Sequence, residues 1–192
     1  QNPELDVLMI EADICGAGAS GRNGGCALSW SAKYFTLERL FGVEEAVRLV
    51  KESERSIHAI GAFCEQYGVD ADYRLDGTLY TATNKAQVGS TDAVIAALER
   101  NGINSFTQRP LADVQRMAGS SKHLEGWFSP AAASVQPGKL VRGLRRVALQ
   151  LGVKIHENTA MTGLEEGRPA RIHTAGGSVI ADRVVLAMNA WM

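Results

Sequence analysis

The sequence has few cysteines, no long apolar run and no excess of one charge. Three cysteines among 192 residues are a small and odd number, which argues against a secreted disulfide framework and favours reduced thiols in the cytoplasm. No apolar stretch approaches the ~20 residues that a membrane-spanning helix needs. Lys and Arg number 20 against 21 for Asp and Glu, so a net charge of −1 gives no reason to expect nucleic-acid binding.

The residue types that build metal or nucleophilic centres do not cluster either. The four histidines, His58, His123, His156 and His173, are scattered, and no His or Cys spacing matches a metal site. Ser20 lacks the G-x-S-x-G context of a serine nucleophile. We therefore predict no metal, and we can name no catalytic residue from the sequence.

The most informative stretch is residues 11–25, which follow the apolar run 5–10. The run predicts a buried strand that ends at Glu11. Within the stretch, Gly16-Ala-Gly18-Ala-Ser-Gly21 matches the G-x-G-x-x-G pattern literally. A dinucleotide-binding turn needs its first glycine at the tip of a strand and its third inside a helix. Several residues separate Gly16 from the strand, and residues 22–25 are a poor helix start, so the match is not taken as that turn.

Glu11 is better interpreted as the acid at the end of a second strand. A carboxylate at the carboxyl end of a parallel strand can accept hydrogen bonds from the hydroxyls of an adenosine ribose. In this interpretation the first strand of the fold and its glycine turn lie outside the chain.

Hydrophobic periodicity and turn residues predict the remaining elements. The predicted helices span 43–67 (closed by Gly68), 85–100, 111–118 and 138–151. The predicted strands are 72–75 and 78–83 in a hairpin at Asp76-Gly77, strand or loop at 126–134, 153–156 continued by 160–164, 171–174 and 178–180 in a second hairpin, and a buried parallel strand at 183–187.

These residues carry a resemblance to a known family. From Glu11 through Ala19-Ser-Gly-Arg-Asn-Gly-Gly25 the sequence resembles the start of FAD-dependent oxidases of the D-amino-acid oxidase superfamily. It is most similar to the gamma-glutamylputrescine oxidase and glycine or sarcosine oxidase-like branch. The resemblance continues through Gln136-Pro-Gly-Lys-Leu140 and Val184-Val-Leu-Ala-Met-Asn-Ala-Trp191. The family's N-terminal G-x-G-x-x-G turn and its C-terminal part are missing, so we expect a fragment.

The resemblance implies an α/β fold. An incomplete FAD-binding Rossmann-like domain, residues 1–35 and 134–192, would be interrupted by part of an α+β substrate domain, residues 36–133. FAD is the implied cofactor. At Met161 the family usually has valine, whose backbone meets the adenine edge, and small residues near the end of the last strand, including Ala190, would let the backbone approach the cofactor. The implied cofactor-binding residues are Glu11, Ser20, Gly21, Arg22, Asn23, Gly24, Gly25, Met161, Ala187 and Asn189.

The resemblance also implies a reaction, the oxidation of a C–N bond in a small amine or amino acid, with dioxygen or another acceptor taking the electrons. Two alternatives stay open. In the first alternative, the chain would be a NAD(P)-dependent Rossmann dehydrogenase that uses Gly16, Gly18 and Gly21. In the second, it would be a non-catalytic truncated remnant that does not retain FAD.

Overall fold

The computed structural model describes residues 4–189, which divide into two compact units. The first unit joins the two ends of the sequence, Gln1–Arg22 and Val141–Met192, and the second is the stretch between them, Asn23–Leu140. Their mixture of helices and sheets confirms the predicted α/β class. The assignment of residues 1–35 and 134–192 to the cofactor, and of 36–133 to the substrate, stays a prediction.

The first unit contains a two-stranded parallel sheet. Strand β1 (Leu8–Ile10) pairs with β7 (Lys154–His156), which directly follows helix α6 (Pro137–Gln150). Strand, helix and parallel strand in that order are the basic unit of a Rossmann-like domain. The strand predicted at 5–10 is present but shorter, and it is not buried, because Leu8 and Met9 are 39% and 40% exposed beside a single neighbouring strand.

An antiparallel sheet completes the strands of the first unit. It has the order β10 (Gly177–Ala181), β9 (Ala170–Thr174), β8 (Met161–Glu165). The hairpin predicted at 171–180 is therefore confirmed. The prediction that residues 160–164 continue the strand at 153–156 is wrong. Asn158 takes a positive φ of 51°, and the chain turns there into the separate sheet.

The prediction of a buried parallel strand at residues 183–187 is wrong. Residues 183–188 have no regular secondary structure, and Val185 is 87% exposed. A strand forms only where a neighbour supplies its backbone hydrogen bonds, and no strand within residues 4–189 pairs with this segment.

The second unit is built on one long helix. Helix α3 spans Val43–Tyr67 and ends at Gly68, whose φ of 58° is left-handed, as the sequence predicts. Helix α2 (Tyr34–Phe41) packs with it, and helix α4 (Asp92–Arg100) packs with α2. The core between them consists of apolar side chains that are at most 9% exposed: Tyr34, Leu37, Ala46, Val50, Ile95, Ala97, Leu98, Ile103 and Phe106.

Two antiparallel sheets lie in the second unit. Strands β3 (Thr78–Ala82) and β4 (Thr107–Gln108) flank β5 (Glu125–Ser129) in the larger sheet. Strand β2 (Cys26–Leu28) pairs with β6 (Ala132–Ser134) in the smaller one. Helix α5 (Leu111–Ala118) packs on β5, at the bounds that the sequence predicts.

The hairpin predicted at Asp76-Gly77 is wrong. Strand β3 pairs with β5 instead of with residues 72–75, and the N–H of Gly77 donates to the carbonyl of Ala132 in β6 over 2.9 Å. Asp-Gly is a local signal, and here strands from a distant part of the chain compete successfully for the same backbone groups.

The predicted helix at 85–100 is shortened to α4. Residues 85–91 form turns, in which the side chain of Asn84 accepts the N–H of Ala86 over 3.0 Å and that of Gln87 accepts the N–H of Thr83 over 3.0 Å. Side chains that bond nearby backbone N–H groups offer the chain an alternative to the helix.

A buried hydroxyl cluster joins three segments of the second unit. Ser105, 5% exposed, donates to Oε1 of Glu54 on α3, and the hydroxyl of Ser31, 0% exposed, lies within hydrogen-bond distance of both, 2.9 Å from Oγ of Ser105 and 3.0 Å from Oε1 of Glu54. Both hydroxyls of this cluster therefore have a partner, which offsets the cost of burying them.

Gly126→Ala tests the packing of α5 on the larger sheet. A Cβ at Gly126 would lie 2.6 and 2.8 Å from the methyl carbons of Val114, which is 0% exposed. We expect the free energy of unfolding to fall by about 1–3 kcal/mol, the usual cost of overpacking a core. Urea titration followed by tryptophan fluorescence measures it.

The double variant Gly126→Ala/Val114→Ala is the control. Because the smaller side chain at 114 makes room for the new methyl group, the double variant should be less destabilised than the sum of the two single variants. Additive losses would contradict this contact.

Candidate functional site

Glu11 directly follows β1, at the carboxyl end of the parallel sheet. Its N–H donates to the carbonyl of His156 over 2.9 Å, and its carbonyl accepts the N–H of Thr159 over 2.8 Å. Carboxylate oxygen Oε1 accepts the N–H of Asp13 over 3.1 Å, and the residue is half-buried. The backbone is therefore fixed on the β7 side, and the acid occupies the strand-end position from which dinucleotide-binding folds reach a ribose.

The loop after Glu11 is fastened to the residues that follow β7. The N–H of Asn158 donates to the carbonyl of Asp13 over 2.8 Å. The N–H of Cys15 donates to Oε1 of Glu157 over 2.8 Å. Within the loop, the N–H of Ala17 donates to the carbonyl of Ile14 over 2.9 Å. The loop is thus an ordered continuation of the β1–β7 pairing.

Arg145 on α6 holds the carboxylate of Glu157 from the other side. Its Nε and one terminal nitrogen donate to the two oxygens over 3.0 and 2.7 Å, and the side chains are 37% (Arg145) and 20% (Glu157) exposed. These bonds, followed by the one from the N–H of Cys15, lower the pKa of Glu157 from 4.5 to about 2. Burial, and next the hydrogen bond to Glu157, raise the pKa of the Cys15 thiol.

Two of the three motif glycines are required by the loop itself. Gly16 has a φ of 91°, and a Cβ at Gly21 would overlap the carbonyl oxygen of Gly16. Strand β1 ends at Ile10, well before Gly16, and the helix after the loop, α1 (Ala19–Arg22), has four residues. A dinucleotide turn joins a strand directly to a long helix, so this geometry disfavours the NAD(P) alternative.

Residues 23–25 form a tight turn in the second unit. The side chain of Asn23 accepts the N–H of Gly25 over 2.8 Å. Gly25 has a φ of 72°, and a Cβ there would overlap the carbonyl oxygen of Val135, whose N–H donates to the carbonyl of Gly25 over 2.9 Å. Gly24 differs, because no atom lies within 4 Å of the place that its Cβ would occupy.

The remaining residues predicted to bind the cofactor lie on α1, at the start of β8 and in the last described segment. Ser20 and Arg22 are exposed on α1. Met161 is half-buried at the start of β8, two residues after Thr159, which bonds Glu11. Ala187 and Asn189 are exposed in the segment that forms no strand with these elements, and Ala190 lies outside the described residues.

Glu157 and Arg145 are the residues that the sequence reasoning misses. Glu157 also directly follows a strand, but β7 reads Lys-Ile-His and is not an apolar run, so the signal that singles out Glu11 is weaker here. No such signal identifies Arg145 as its partner, because α6 also carries Arg142 and Arg146.

The whole chain, residues 1–192, matches the family model described as FAD dependent oxidoreductase. The chain belongs to this family. The resemblance stated from the motif of residues 11–25 is therefore confirmed.

Two relatives extend the same similarity over nearly the whole chain. Gamma-glutamylputrescine oxidoreductase of Escherichia coli (strain K12) is 28% identical over 189 residues, which are 98% of this chain. Probable oxidoreductase OrdL of Rhizobium meliloti (strain 1021) is 29% identical over 194 residues, which cover 97% of this chain. The chain spans 44% of the length of each relative.

Solved structures share the fold. Glycine oxidase from Geobacillus kaustophilus superposes with a TM-score of 0.76 at 19% identity, covering 97% of this chain and 49% of that one. L-Amino acid deaminase from Proteus myxofaciens, solved in complex with anthranilate, gives a TM-score of 0.77 at 21% identity, covering 97% of this chain and 41% of that one.

Two glycines fit the cofactor that the family implies. Gly18 and Gly24 have no left-handed φ, and a Cβ at either one would meet no atom within 4 Å. The fold therefore does not require glycine at these positions. Glycine does allow a ligand to come close to the backbone, and this is what a flavin nucleotide on such loops needs.

Other site types find no support in residues 4–189. No three His, Cys, Asp or Glu side chains in this part of the chain are grouped as metal ligands. None of the helices described there is long and apolar enough to cross a membrane.

The neighbours Gly24 and Gly25 form a matched pair of variants. Gly25→Ala should lower the free energy of unfolding by about 2 kcal/mol or more, because alanine is strained at a positive φ and its Cβ would overlap Val135. Gly24→Ala should leave it within about 0.5 kcal/mol. Urea unfolding of both variants checks this, and equal losses would contradict the turn geometry.

The lowered pKa of Glu157 predicts a pH dependence. A carboxylate with a depressed pKa stabilises the fold above its ordinary value of 4.5 and loses that effect as the pH falls through about 2. Glu157→Gln should therefore be less stable than the parent protein at pH 6, and the gap should shrink between pH 4.5 and 2. Thermal unfolding followed by circular dichroism measures the gap. Glu166→Gln, an exposed acid in the same unit, is the control and should show no such trend.

Proposed function

We propose that this chain supplies the adenosine-binding strand end and the cofactor-binding loops of a flavoprotein that oxidises the C–N bond of a small amine or amino acid. FAD, when bound, would supply the redox chemistry: the substrate would lose a hydride from the carbon next to nitrogen, the imine formed would hydrolyse in water, and dioxygen or another acceptor would take the electrons. A cytoplasmic location belongs to the same proposal and rests on three free cysteines.

The observation that carries the proposal is the position of Glu11 in a chain of this family. Its carboxylate follows β1 at the carboxyl end of a parallel sheet, and its backbone is bonded on both sides to residues 156–159. In Rossmann-like folds an acid at such a strand end bonds the ribose hydroxyls of a dinucleotide. We assign Glu11 to the adenosine ribose of FAD.

The other residues of the proposal divide by unit. In the first unit Ser20, Gly21 and Arg22 lie on α1, and Met161 offers its backbone near Thr159, which is joined to Glu11. In the second unit Asn23, Gly24 and Gly25 form the turn before β2. We propose that these residues contact FAD through backbone N–H groups and short side chains, with Ala187 and Asn189 approaching it from the last segment.

The names of similar proteins support the substrate class. One relative is a gamma-glutamylputrescine oxidoreductase, and one structural neighbour is a glycine oxidase. Both names refer to compounds that carry an amine next to an oxidisable carbon. We propose the same class of substrate for the protein to which this chain belongs.

The sharpest test compares FAD with FMN, which lacks the adenosine half. Binding of FAD to this chain is expected to be weak but saturable, because α1 has four residues and provides little helix dipole for a pyrophosphate. Glu11→Gln should reduce the preference for FAD over FMN about tenfold, the usual effect of removing a charged hydrogen-bond partner. Flavin fluorescence titrations measure both affinities.

Asp13→Asn is the matched control, since Asp13 lies two residues away and, within the described residues, its side chain accepts only the adjacent N–H of Ile14. It should keep the FAD preference of the parent chain. If the parent chain binds FAD and FMN equally, the ribose assignment is wrong. If it binds neither, the truncated-remnant alternative is favoured.

Gly24→Ala gives an independent test, since its Cβ would meet no atom within 4 Å in the fold while it adds a methyl group to the proposed flavin surface. We expect at least about a tenfold loss of both FAD and FMN affinity, as a methyl group obstructs close backbone approach. An unchanged affinity would remove Gly24 from the site. Peroxide release with a panel of amines then assays the reaction in any flavin-loaded preparation.

A further inference from the structure

Glu157 connects three segments of the first unit that are distant in sequence. It lies directly after β7, its Oε1 accepts the N–H of Cys15 in the glycine-rich loop over 2.8 Å, and Arg145 on α6 grips both of its oxygens. The carboxylate is only 20% exposed. One of its three hydrogen bonds goes to the loop and two go to α6, so this side chain ties the loop to the helix.

The backbone bonds on either side of this contact set the register of the loop. The carbonyl of Glu11 accepts the N–H of Thr159, and the carbonyl of Asp13 accepts the N–H of Asn158, each over 2.8 Å. The contact between Cys15 and Glu157 is the next in the series and the last before the glycines. It is also the one that depends on a side chain, so a substitution can remove it without touching the backbone.

We propose that Glu157, held by Arg145, is a positioning residue that fixes the loop from Glu11 to Gly18 for cofactor binding. The role in cofactor binding rests on the function proposed above, whereas the role in fixing the loop does not. Glu157 contacts no reacting atom in this proposal and acts through the loop alone.

The chemistry of the contact requires a carboxylate. Its oxygens accept bonds from a guanidinium and from a backbone N–H at the same time, and the charged pair strengthens both. Glutamine has the same size but turns one acceptor into an NH2 group, which cannot face the donors of Arg145. Glu157→Gln therefore removes the charge and the bond from the terminal nitrogen of Arg145, and it weakens the bonds that remain at the other oxygen, with minimal change in shape.

The three cysteines provide a direct readout. Cys15 lies in the loop and is half-buried, Cys26 is exposed and Cys64 is buried. Alkylation with iodoacetamide, followed by peptide mass spectrometry, gives the rate at each thiol. The alkylation rate of Cys15 relative to that of Cys26 reports loop opening. The rate at Cys64 reports whether the second unit stays folded, and amide exchange of the β9–β10 hairpin reports the same for the first unit.

We expect Glu157→Gln and Arg145→Gln each to speed Cys15 alkylation about tenfold, with Cys64 and the hairpin unchanged. The double variant should match the single ones, because the two residues act as a pair. The matched controls Glu166→Gln and Arg142→Gln, on the same unit, should react at the parental rate.

Arg145→Gln separates positioning from simple electrostatics. Glu157 raises the pKa of the Cys15 thiol and Arg145 lowers it, so a purely electrostatic effect would speed alkylation in Glu157→Gln and slow it in Arg145→Gln. Faster alkylation in both supports positioning. Opposite changes, or no change in either, overturn it.

Measurements of FAD binding distinguish a failure of the loop-fixing role from a failure of the proposed function. If the parent chain binds FAD, both variants should weaken that binding about tenfold while Arg142→Gln does not. Faster Cys15 alkylation with unchanged FAD affinity would uphold the loop-fixing role and refute its importance for the cofactor. If the hairpin amides also exchange faster, the variant has unfolded the first unit. Arg145→Lys, which keeps the charge but loses the two-pronged geometry, then replaces it. Faster Cys15 alkylation with unchanged hairpin exchange in Arg145→Lys supports the positioning role, and an unchanged alkylation rate overturns it.

Discussion

The arrangement of the candidate site depends on the parallel pairing of β1 with β7. The ladder has three residue pairs, from Leu8 with Lys154 to Ile10 with His156, and its strands come from opposite ends of the sequence. Backbone bonds carry the pairing past the strand ends, to Glu11 and Asp13. A shift of register by one residue would turn the side chains of β1 to the other face and move Glu11 away from the end of the sheet. The register is therefore what makes Glu11 a candidate ribose ligand.

The glycines of the motif serve two purposes that the sequence does not distinguish. Gly16 and Gly25 take positive φ, and Gly21 and Gly25 lie against carbonyl oxygens, so the fold itself needs glycine there. Gly18 and Gly24 satisfy neither condition. A string of small residues identifies a loop whose backbone can be approached closely, but only the geometry shows which positions remain available to a ligand.

Local signals predict the structure well where no distant segment competes for the same backbone groups, and elements that depend on distant partners are predicted poorly. The bounds of α3 and α5 and the hairpin at 171–180 follow from periodicity, a closing glycine and a turn, all of which lie within the element. Asp76-Gly77 fails because β5 and β6 lie far along the chain, and residues 183–187 fail because a strand needs a neighbour. For the same reason the position of Glu11 directly after a strand is predicted from the sequence, while the pairing of Glu157 with Arg145 is not.

The two acids that follow β1 and β7 have different electrostatic states, and this difference fits an anionic ligand. Glu157 is neutralised by Arg145, which keeps it charged but balanced even at low pH. Within residues 4–189 Glu11 forms no salt bridge, and its Oε1 accepts only the N–H of Asp13. The ion pair therefore reduces the negative charge that a pyrophosphate would meet at this end of the sheet, where Glu11 and the exposed Asp13 form no salt bridge within residues 4–189. The same carboxylate orders the loop, because it also accepts the N–H of Cys15.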